Sequence, residues 1–418
     1  MPADEVGLPA EMTRRSMLTR AASLIARAAK GGTDDEPYDR IVRPQFQSAN
    51  LVGLEACAIE DGSPVWTNGC GFADVEHRIP MTADTIINLA SVSKTVTACA
   101  VMQLYEQRLL GLDEDVSGYV PFAVRNPLHA SIPITVRQLL AHTSSLADGP
   151  AYAQSYTCGD STFGLRDWLS EYVLPQGRYY SPQNFHSWPP GQRFQYSNLG
   201  FGLLGYAVEA VSGVPFRTYC RNKIFRPLGM RYSSFGAVKD PAQRAAIPYT
   251  IAPQGKPLDR VVQNGTAVPV KWNGASYLPS CLYTFPNYPD GLVRTSAREF
   301  SRFVSAIVCE GEFEGHRVVQ PATLGEMFRE QFPKAFRPPS WPAVQGLAWY
   351  AIRAPDSNLI WLHTGADPGI RTVVMCYPSR KSAVLLFANT APAEGLTDLA
   401  GACLRQAVRS STARTKLR

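Results

Sequence analysis

Near one end of the chain, four short apolar segments, 346–353, 359–364, 371–377 and 382–388, follow one another across very short gaps. A parallel neighbour needs a crossover of a dozen residues or more, so segments this closely spaced have to pair antiparallel. Toward the other end, residues 51–59 and 65–70 flank Glu60-Asp61-Gly62-Ser63-Pro64. Asp-Gly between two apolar runs reads as a hairpin. Between these two strand-rich ends, from about residue 112 to about 290, the texture is helical pieces broken by loops rich in Pro, Gly and aromatics.

Several helices can be placed by their period. Residues 88–110 carry Val92, Val96, Cys99, Ala100 and Leu104 near helical spacing, with Gly111 as the expected stop. Residues 134–146 read as a short apolar helix ending in a polar turn, 199–211 as a helix of small apolar residues, 297–308 as a helix, and 396–408 as an amphipathic cover for one face. At the start of the first helix stands Ser91-Val92-Ser93-Lys94. A helix puts residues three apart on one face, so a hydroxyl and an amine would meet there, close to free backbone N–H groups and the positive end of the helix dipole. A Ser beside a Lys able to take its proton is one way to make an activated oxygen nucleophile. Ser and Lys are also common enough for this spacing to arise by chance.

Other functions are disfavoured. At 418 residues the chain fits one large or two interleaved domains. A net charge of +6 without a dense Lys/Arg block or basic-aromatic stripe argues against nucleic acid. The nine Cys are scattered, odd in number and without a C-x-x-C pair, which favours buried, reduced thiols and a reducing compartment. The six His never pair at ligand spacing, so neither a metal nor another cofactor is expected. Thr13-Arg14-Arg15-Ser16-Met17-Leu18 resembles a twin-arginine export signal, but Arg20 and Arg27 interrupt the apolar region such a signal needs. Residues 1–36 are therefore expected to form a basic N-terminal extension on a cytoplasmic protein, with export as the alternative. No run of roughly 18 apolar residues occurs, so no transmembrane segment is expected. Oligomeric state is not legible.

Two further elements follow in order: Tyr196-Ser197-Asn198, just before the 199–211 helix, and His363-Thr364-Gly365-Ala366, after the second C-terminal strand. Together with Ser91-Val92-Ser93-Lys94 they resemble the S-x-x-K, Y-x-N and [KH]-[TS]-G series of the beta-lactamase-related serine hydrolases. That superfamily includes class C beta-lactamases, penicillin-binding DD-peptidases, family VIII esterases and D-aminopeptidases. Auxiliary stretches match as well: Leu139-Leu140-Ala141-His142-Thr143-Ser144-Ser145-Leu146, Phe225-Arg226-Pro227-Leu228-Gly229-Met230 and Gly291-Leu292-Val293-Arg294-Thr295-Ser296. Ser145 departs from the Gly that relatives often carry. The resemblance implies an α/β fold of the α+β type, an antiparallel sheet flanked by helices and built from both ends of the chain. Residues 37–111 and 291–418 would form this domain, and 112–290 an inserted, mainly helical region carrying Tyr196.

The same resemblance implies acyl transfer through Ser91, with Lys94 or Tyr196 as general base and Asn198 positioning Lys94 or the substrate. The oxyanion would lie between the backbone N–H groups of Ser91 and Ala366, beside Gly365. Lys is usual in many relatives where this chain has His363. A neutral imidazole, with an ordinary pKa of about 6.5, attracts an anion less than a permanent ammonium does. Uncharged esters or amides are thus expected as the small-molecule acyl substrates. A D-aminopeptidase, DD-peptidase or weak beta-lactamase, and a catalytically idle scaffold relative, are the alternatives. Simpler readings stand beside these. His142 reads as structural rather than as a base, Ser197 or Asn198 can serve only as a helix cap, and Tyr179, Tyr180, Phe185, Trp188, Trp272, Tyr277, Tyr283 and Phe285 either wall an acyl pocket or simply pack.

Overall fold

The structure, a computed structural model, describes residues 38–236, 245–252, 260–332 and 344–417; the N-terminal extension 1–36 and its twin-arginine-like motif lie outside them. An eight-stranded sheet has the spatial order Val344–Gln345, Tyr350–Arg353, Leu359–Asp367, Ile370–Tyr377, Ser382–Ala388, Gly53–Glu60, Ser63–Asp74, Ile79–Pro80. All of its pairings are antiparallel, and Cys57↔Leu385 and Thr364↔Val373 give the register. The strand from the N-terminal hairpin thus closes directly onto the last C-terminal strand. Asp61 and Gly62 both have positive φ, 51° and 81°, as a tight two-residue hairpin turn requires.

Because side chains alternate across a strand, the sheet feeds two cores. Leu54, Ala56, Leu362, Met375 and Leu386 face one core, which is covered by the helices Tyr38–Ser48 and Leu396–Leu417. Cys57, Ile59, Trp361, Val374 and Leu385 face the larger core, shared with Ala297–Val308, Ser93–Glu106 and Asn198–Ser212. Glu55 is buried on this second face, where its Oε2 accepts from the Ala297 N–H at 2.6 Å and so caps the Ala297–Val308 helix. The functional side chains gather at the edge of this larger core.

Several elements differ from the reading of the sequence. The helix expected over 88–110 is Ser93–Glu106, preceded by a 3-10 turn at Ala90–Val92. Gly111 does not stop it. Arg108 takes φ +59°, and the Arg108 and Leu109 N–H groups bond to the Tyr105 and Leu104 carbonyls, the paired closure of a Schellman turn. The His363-Thr364-Gly365 stretch is part of a strand reaching Asp367, because its backbone continues to pair with the neighbouring strand to Asp367↔Ile370. The stretch expected to be mainly helical also contributes short strands, including Tyr249–Ile251, Ala275–Pro279 and Val270–Trp272, which pair in that order, with Thr390–Ala391 beside Tyr249–Ile251. Most of the thiols are expected to be reduced, and Cys158 and Cys281 are the exception, forming a disulfide. They lie 123 residues apart in the chain, Cys158 on the short strand Thr157–Cys158 and Cys281 just before that strand's partner Tyr283–Thr284, a proximity that cysteine spacing cannot reveal. The seven other cysteines are free.

Candidate active site

Ser91 sits in the Ala90–Val92 turn, 8 % exposed, at the mouth of the Ser93–Glu106 helix. The turn is strained: Ala90 has φ +47°, a left-handed conformation that costs a non-glycine residue about 1–2 kcal/mol. Long-range contacts hold it there. The Leu89 N–H donates to the Val293 carbonyl at 2.8 Å, the Ala90 N–H to Asn88 Oδ1 at 3.2 Å, and the Thr372 hydroxyl to the Leu89 carbonyl at 2.8 Å. Strand Ile370–Tyr377 and the segment after Asp290 therefore grip the turn from two sides, so that the surrounding structure over-determines the strained residue.

Lys94 is fully buried one helical turn beyond Ser91. Its Nζ lies 3.2 Å from Ser91 Oγ, 2.6 Å from Asn198 Oδ1 and 2.8 Å from the Asp290 carbonyl oxygen. Three acceptors match the three protons of an ammonium. The same Nζ stands 4.9 Å from the centre of the Tyr196 ring and 5.6 Å from that of Phe201. Ser91, Lys94, Tyr196 and Asn198, drawn from two distant parts of the chain, thus meet.

Ser197 and Asn198 divide the work that the sequence left open between them. Ser197 is the N-cap of the Asn198–Ser212 helix, accepting from the Gly200 N–H at 3.3 Å. Asn198 bridges instead. Its Nδ2 donates to Asp148 Oδ2 at 2.7 Å while its Oδ1 faces Lys94, so the two partners decide which way the amide points. Asp148 also accepts the Asn198 N–H at 2.8 and 3.0 Å and the Leu199 N–H at 3.0 Å. Burial raises its pKa, opposed by those backbone N–H groups and by the Lys94 ammonium. The sequence reading missed Asp148, whose local setting, Ala147-Asp148-Gly149-Pro150, signals only a turn.

His142 plays a structural part. At φ +58° its ring stacks on Tyr196 at 4.1 Å, and Nδ1 accepts the Ser197 N–H at 3.2 Å, leaving Nε2 as the protonated nitrogen of the neutral ring. It places the tyrosine. Ser145 has φ +61°, which explains why glycine suits that position, and its hydroxyl accepts from Asn126 at 3.0 Å.

Strand Leu359–Asp367 supplies the other wall. A Cβ added at Gly365 would lie 2.5 Å from the Leu89 carbonyl oxygen and 3.1 Å from the Ala90 Cβ, so the strand packs directly on the nucleophile's turn. Ala366, the next residue, is exposed, whereas His363 is buried. His363 Nδ1 is 2.7 Å from the Thr364 carbonyl. A carbonyl only accepts, so Nδ1 carries the proton and Nε2 of the neutral ring is an acceptor.

Two carboxyls, the buried Asp290 and the half-buried Asp367, flank this arrangement. Asp290 is pushed up to about 7 by burial, with the Lys94 ammonium and the Tyr152 and Asn287 hydrogen bonds pulling the other way. Burial likewise raises Asp367, at the end of the Leu359–Asp367 strand, to about 6 against hydrogen bonds from Tyr156 and Asn88. Tyr152 and Tyr156 form an aromatic cluster with Phe285 and Tyr283. Of the eight aromatics singled out in the sequence, Tyr283 and Phe285 adjoin the site. Tyr179 packs on Trp168, Phe185 on Tyr180, Trp188 on His186 and Trp272 on Phe72, while Tyr277 joins a small core with Val52 and Tyr249. Among the described residues, no group of three or more His, Cys, Asp or Glu side chains could hold a metal ion, and no single helix is long and apolar enough to cross a membrane.

Residues 38–403 match the family described as Beta-lactamase. Protein flp of Staphylococcus aureus strain N315 is 27% identical over 216 residues, 52% of this chain and 41% of that protein, so the chain spans about two fifths of that relative's length. Esterase EstB of Burkholderia gladioli is 31% identical over 280 residues, 65% of this chain and 66% of the esterase. The D-amino acid amidase of Ochrobactrum anthropi SV3, in complex with D-phenylalanine, superposes with a TM-score of 0.67 over 91% of this chain and 100% of the amidase; at 21% identity the likeness is one of fold.

Proposed function

Since the chain belongs to the beta-lactamase family, we propose that it is a serine hydrolase that cleaves carboxylic esters or amides through an acyl-enzyme on Ser91. The observation that carries this reading is the 3.2 Å contact between Lys94 Nζ and Ser91 Oγ, with Lys94 held from behind by Asn198 and the Asp290 carbonyl. Ser91 Oγ attacks the substrate carbonyl as its proton passes to the Lys94–Tyr196 pair, which starts the step one proton short, either as a Lys94 amine or as a Tyr196 phenolate beside the Lys94 ammonium. The same proton then goes to the leaving alcohol or amine. Water, deprotonated by the same pair, releases the acid and restores Ser91. We assign the charge on the carbonyl oxygen to the backbone N–H groups of Ser91 and Ala366, a reading supported by the close approach of Gly365 to Leu89, beside the nucleophile's turn.

His363 sets the substrate class. With Nδ1 bonded to the Thr364 carbonyl, an imidazole stands where many relatives carry a permanently charged ammonium, and this disfavours a substrate carboxylate. The name of the 31% identical relative, an esterase, points the same way. We assign residues 37–111 and 291–418 to the sheet-bearing domain and 112–290 to the inserted one.

The test is fluorophosphonate labelling followed by mapping of the adduct. Label on Ser91 that disappears in Ser91→Ala supports the reading, and an unlabelled wild type or label that survives the substitution refutes it. Faster turnover of nitrophenyl acyl esters than of a chromogenic cephalosporin is expected for an esterase, and the reverse order assigns the site to beta-lactam-like compounds.

A further inference from the structure

Asn198 can hold Lys94 only if its amide oxygen faces the ammonium, and an amide has two orientations. We infer that Asp148 is the positioning residue that selects this orientation and supplies the fixed negative charge behind Lys94, so that the acylation machinery runs Asp148–Asn198–Lys94–Ser91. The inference rests on the acyl-enzyme reading of Ser91.

The geometry of the carboxylate is that of a group with one job. Oδ2 takes the Asn198 Nδ2 proton at 2.7 Å, leaving Asn198 Oδ1 at 2.6 Å from Lys94 Nζ. A reversed amide would set its NH2 group against the ammonium and its oxygen against the carboxylate, and both contacts would repel. The remaining acceptor capacity of Asp148 is filled by the Asn198 and Leu199 N–H groups and, at 3.4 Å, by the Ser197 hydroxyl. These N–H groups belong to the first turn of a 15-residue helix, whose positive end favours an anion.

The backbone on either side of Asp148 is pinned independently. The Ala147 N–H donates to the Asn184 carbonyl at 2.8 Å, and the Gly149 N–H donates to the Tyr172 hydroxyl. Asn184 is itself fully buried and donates to the Tyr172 and Tyr179 carbonyls at 3.0 and 2.9 Å. The carboxylate is thus held ready before substrate arrives, rather than drawn in by Lys94.

Asp290 does not share this role. It meets Lys94 through its backbone carbonyl, while its carboxyl bonds to Tyr152 and Asn287. Four donors reach Asp148 and two reach the Asp290 carboxyl, so Asp148 is the better solvated anion of the two. The titratable groups around the Lys94 ammonium are then Asp148, Asp290, Tyr196 and, behind the tyrosine, His142.

The experiment compares full-length wild type with Asp148→Asn, Asn198→Ala and the double variant. It reads kcat and KM for a nitrophenyl ester, the pH dependence of kcat/KM, and the stoichiometry and rate of fluorophosphonate labelling at Ser91. For Asp148→Asn the labelling rate and kcat per labelled site should fall by about 10–100-fold, while KM changes little. The ascending limb of the pH profile should move to lower pH by about one unit, because losing the negative charge makes the proton of either Lys94 or Tyr196 easier to remove. A helix cap alone predicts otherwise: fewer labelled sites, with an unchanged rate per site and an unmoved limb, and that result overturns the inference. Asn198→Ala keeps the backbone caps of Asp148, so it tests the relay if Asp148→Asn does not fold. It should slow each labelled site by a similar factor, and full activity per site overturns the inference. Where both fold, the double variant should be little slower than either single one, and additive losses also overturn the inference. A wild type that labels elsewhere or nowhere removes the Ser91 reading and this inference with it, whereas a labelled wild type with an unaffected Asp148→Asn removes this inference alone.

Discussion

Adding one methyl group at Gly365 should disable the site. A Cβ at this position would stand 2.2 Å from Thr372 Oγ1, 2.5 Å from the Leu89 carbonyl oxygen and 3.1 Å from Ala90 Cβ, whereas ordinary contact is 3.4–4 Å. The Leu89 oxygen must therefore withdraw by about 1 Å to restore normal contact. Thr372 cannot absorb the change by rotating, since its hydroxyl is bonded at 2.8 Å to that same oxygen. Leu89 lies two residues before Ser91, and Ala90 between them is already in a left-handed conformation, so the displacement passes straight into the nucleophile. A misplacement of about 1 Å at a reacting group costs on the order of 100-fold in rate, and overpacking costs about 1–3 kcal/mol of stability. The assay is kcat/KM for a nitrophenyl ester, normalised to the sites titrated by a fluorophosphonate, alongside thermal unfolding of Gly365→Ala. The expected result is a loss of about 100-fold per titrated site in a protein that still folds. Adding Thr372→Ala removes the 2.2 Å contact but not the 2.5 Å contact with backbone, so it should not restore the rate. Activity per site within about threefold of wild type would show that the strand does not hold the nucleophile's turn in register.

Three other perturbations test separate parts of the structure. Arg108→Gly relieves an exposed left-handed residue at the end of the Ser93–Glu106 helix and should raise stability by about 0.5–1 kcal/mol in urea unfolding, while a loss would contradict the Schellman closure. Asp290, raised to about 7 by burial, keeps a proton in the folded protein from about pH 4 to 7, where the unfolded chain has lost it. Its contribution to stability therefore falls as pH rises through that window and is level above it. Asp290→Asn should shrink the loss of unfolding free energy between pH 5 and pH 8, and an unchanged pH dependence would mean that the Asp290 proton is not held. His363→Lys places a permanent cation on the Leu359–Asp367 strand and should raise turnover of carboxylate-bearing esters relative to neutral ones by about tenfold. An unchanged ratio would remove His363 from the substrate argument.

The elements written most clearly in the sequence are those whose cause is local. The Asp61-Gly62 hairpin follows from two residues able to take positive φ, and the Ala297–Val308 helix occupies the span its apolar period marks. The antiparallel order of the C-terminal strands follows from gaps too short for a crossover. Boundaries were less legible where distant partners set them. The first site helix begins at Ser93 rather than Asn88 because Leu89 and Ala90 are held by Val293 and Thr372, and the third motif lies inside a strand because its neighbour pairs with it as far as Asp367.

The same division runs through the site. Sequence alone determined that Ser91 and Lys94 stand one turn apart with their side chains together, since a spacing of three residues does this in a 3-10 turn as in an α-helix. Only the tertiary structure decided what surrounds Lys94: the Asn198 oxygen from 104 residues away and the Asp290 carbonyl from 196. It also brought in Asp148, the Asp290 and Asp367 carboxyls with raised pKa values, and the contact between Gly365 and Leu89. The orientation of an amide, the burial of a carboxyl and the clearance around a glycine depend on atoms that meet only after the chain has closed on itself. No local pattern of residues encodes them.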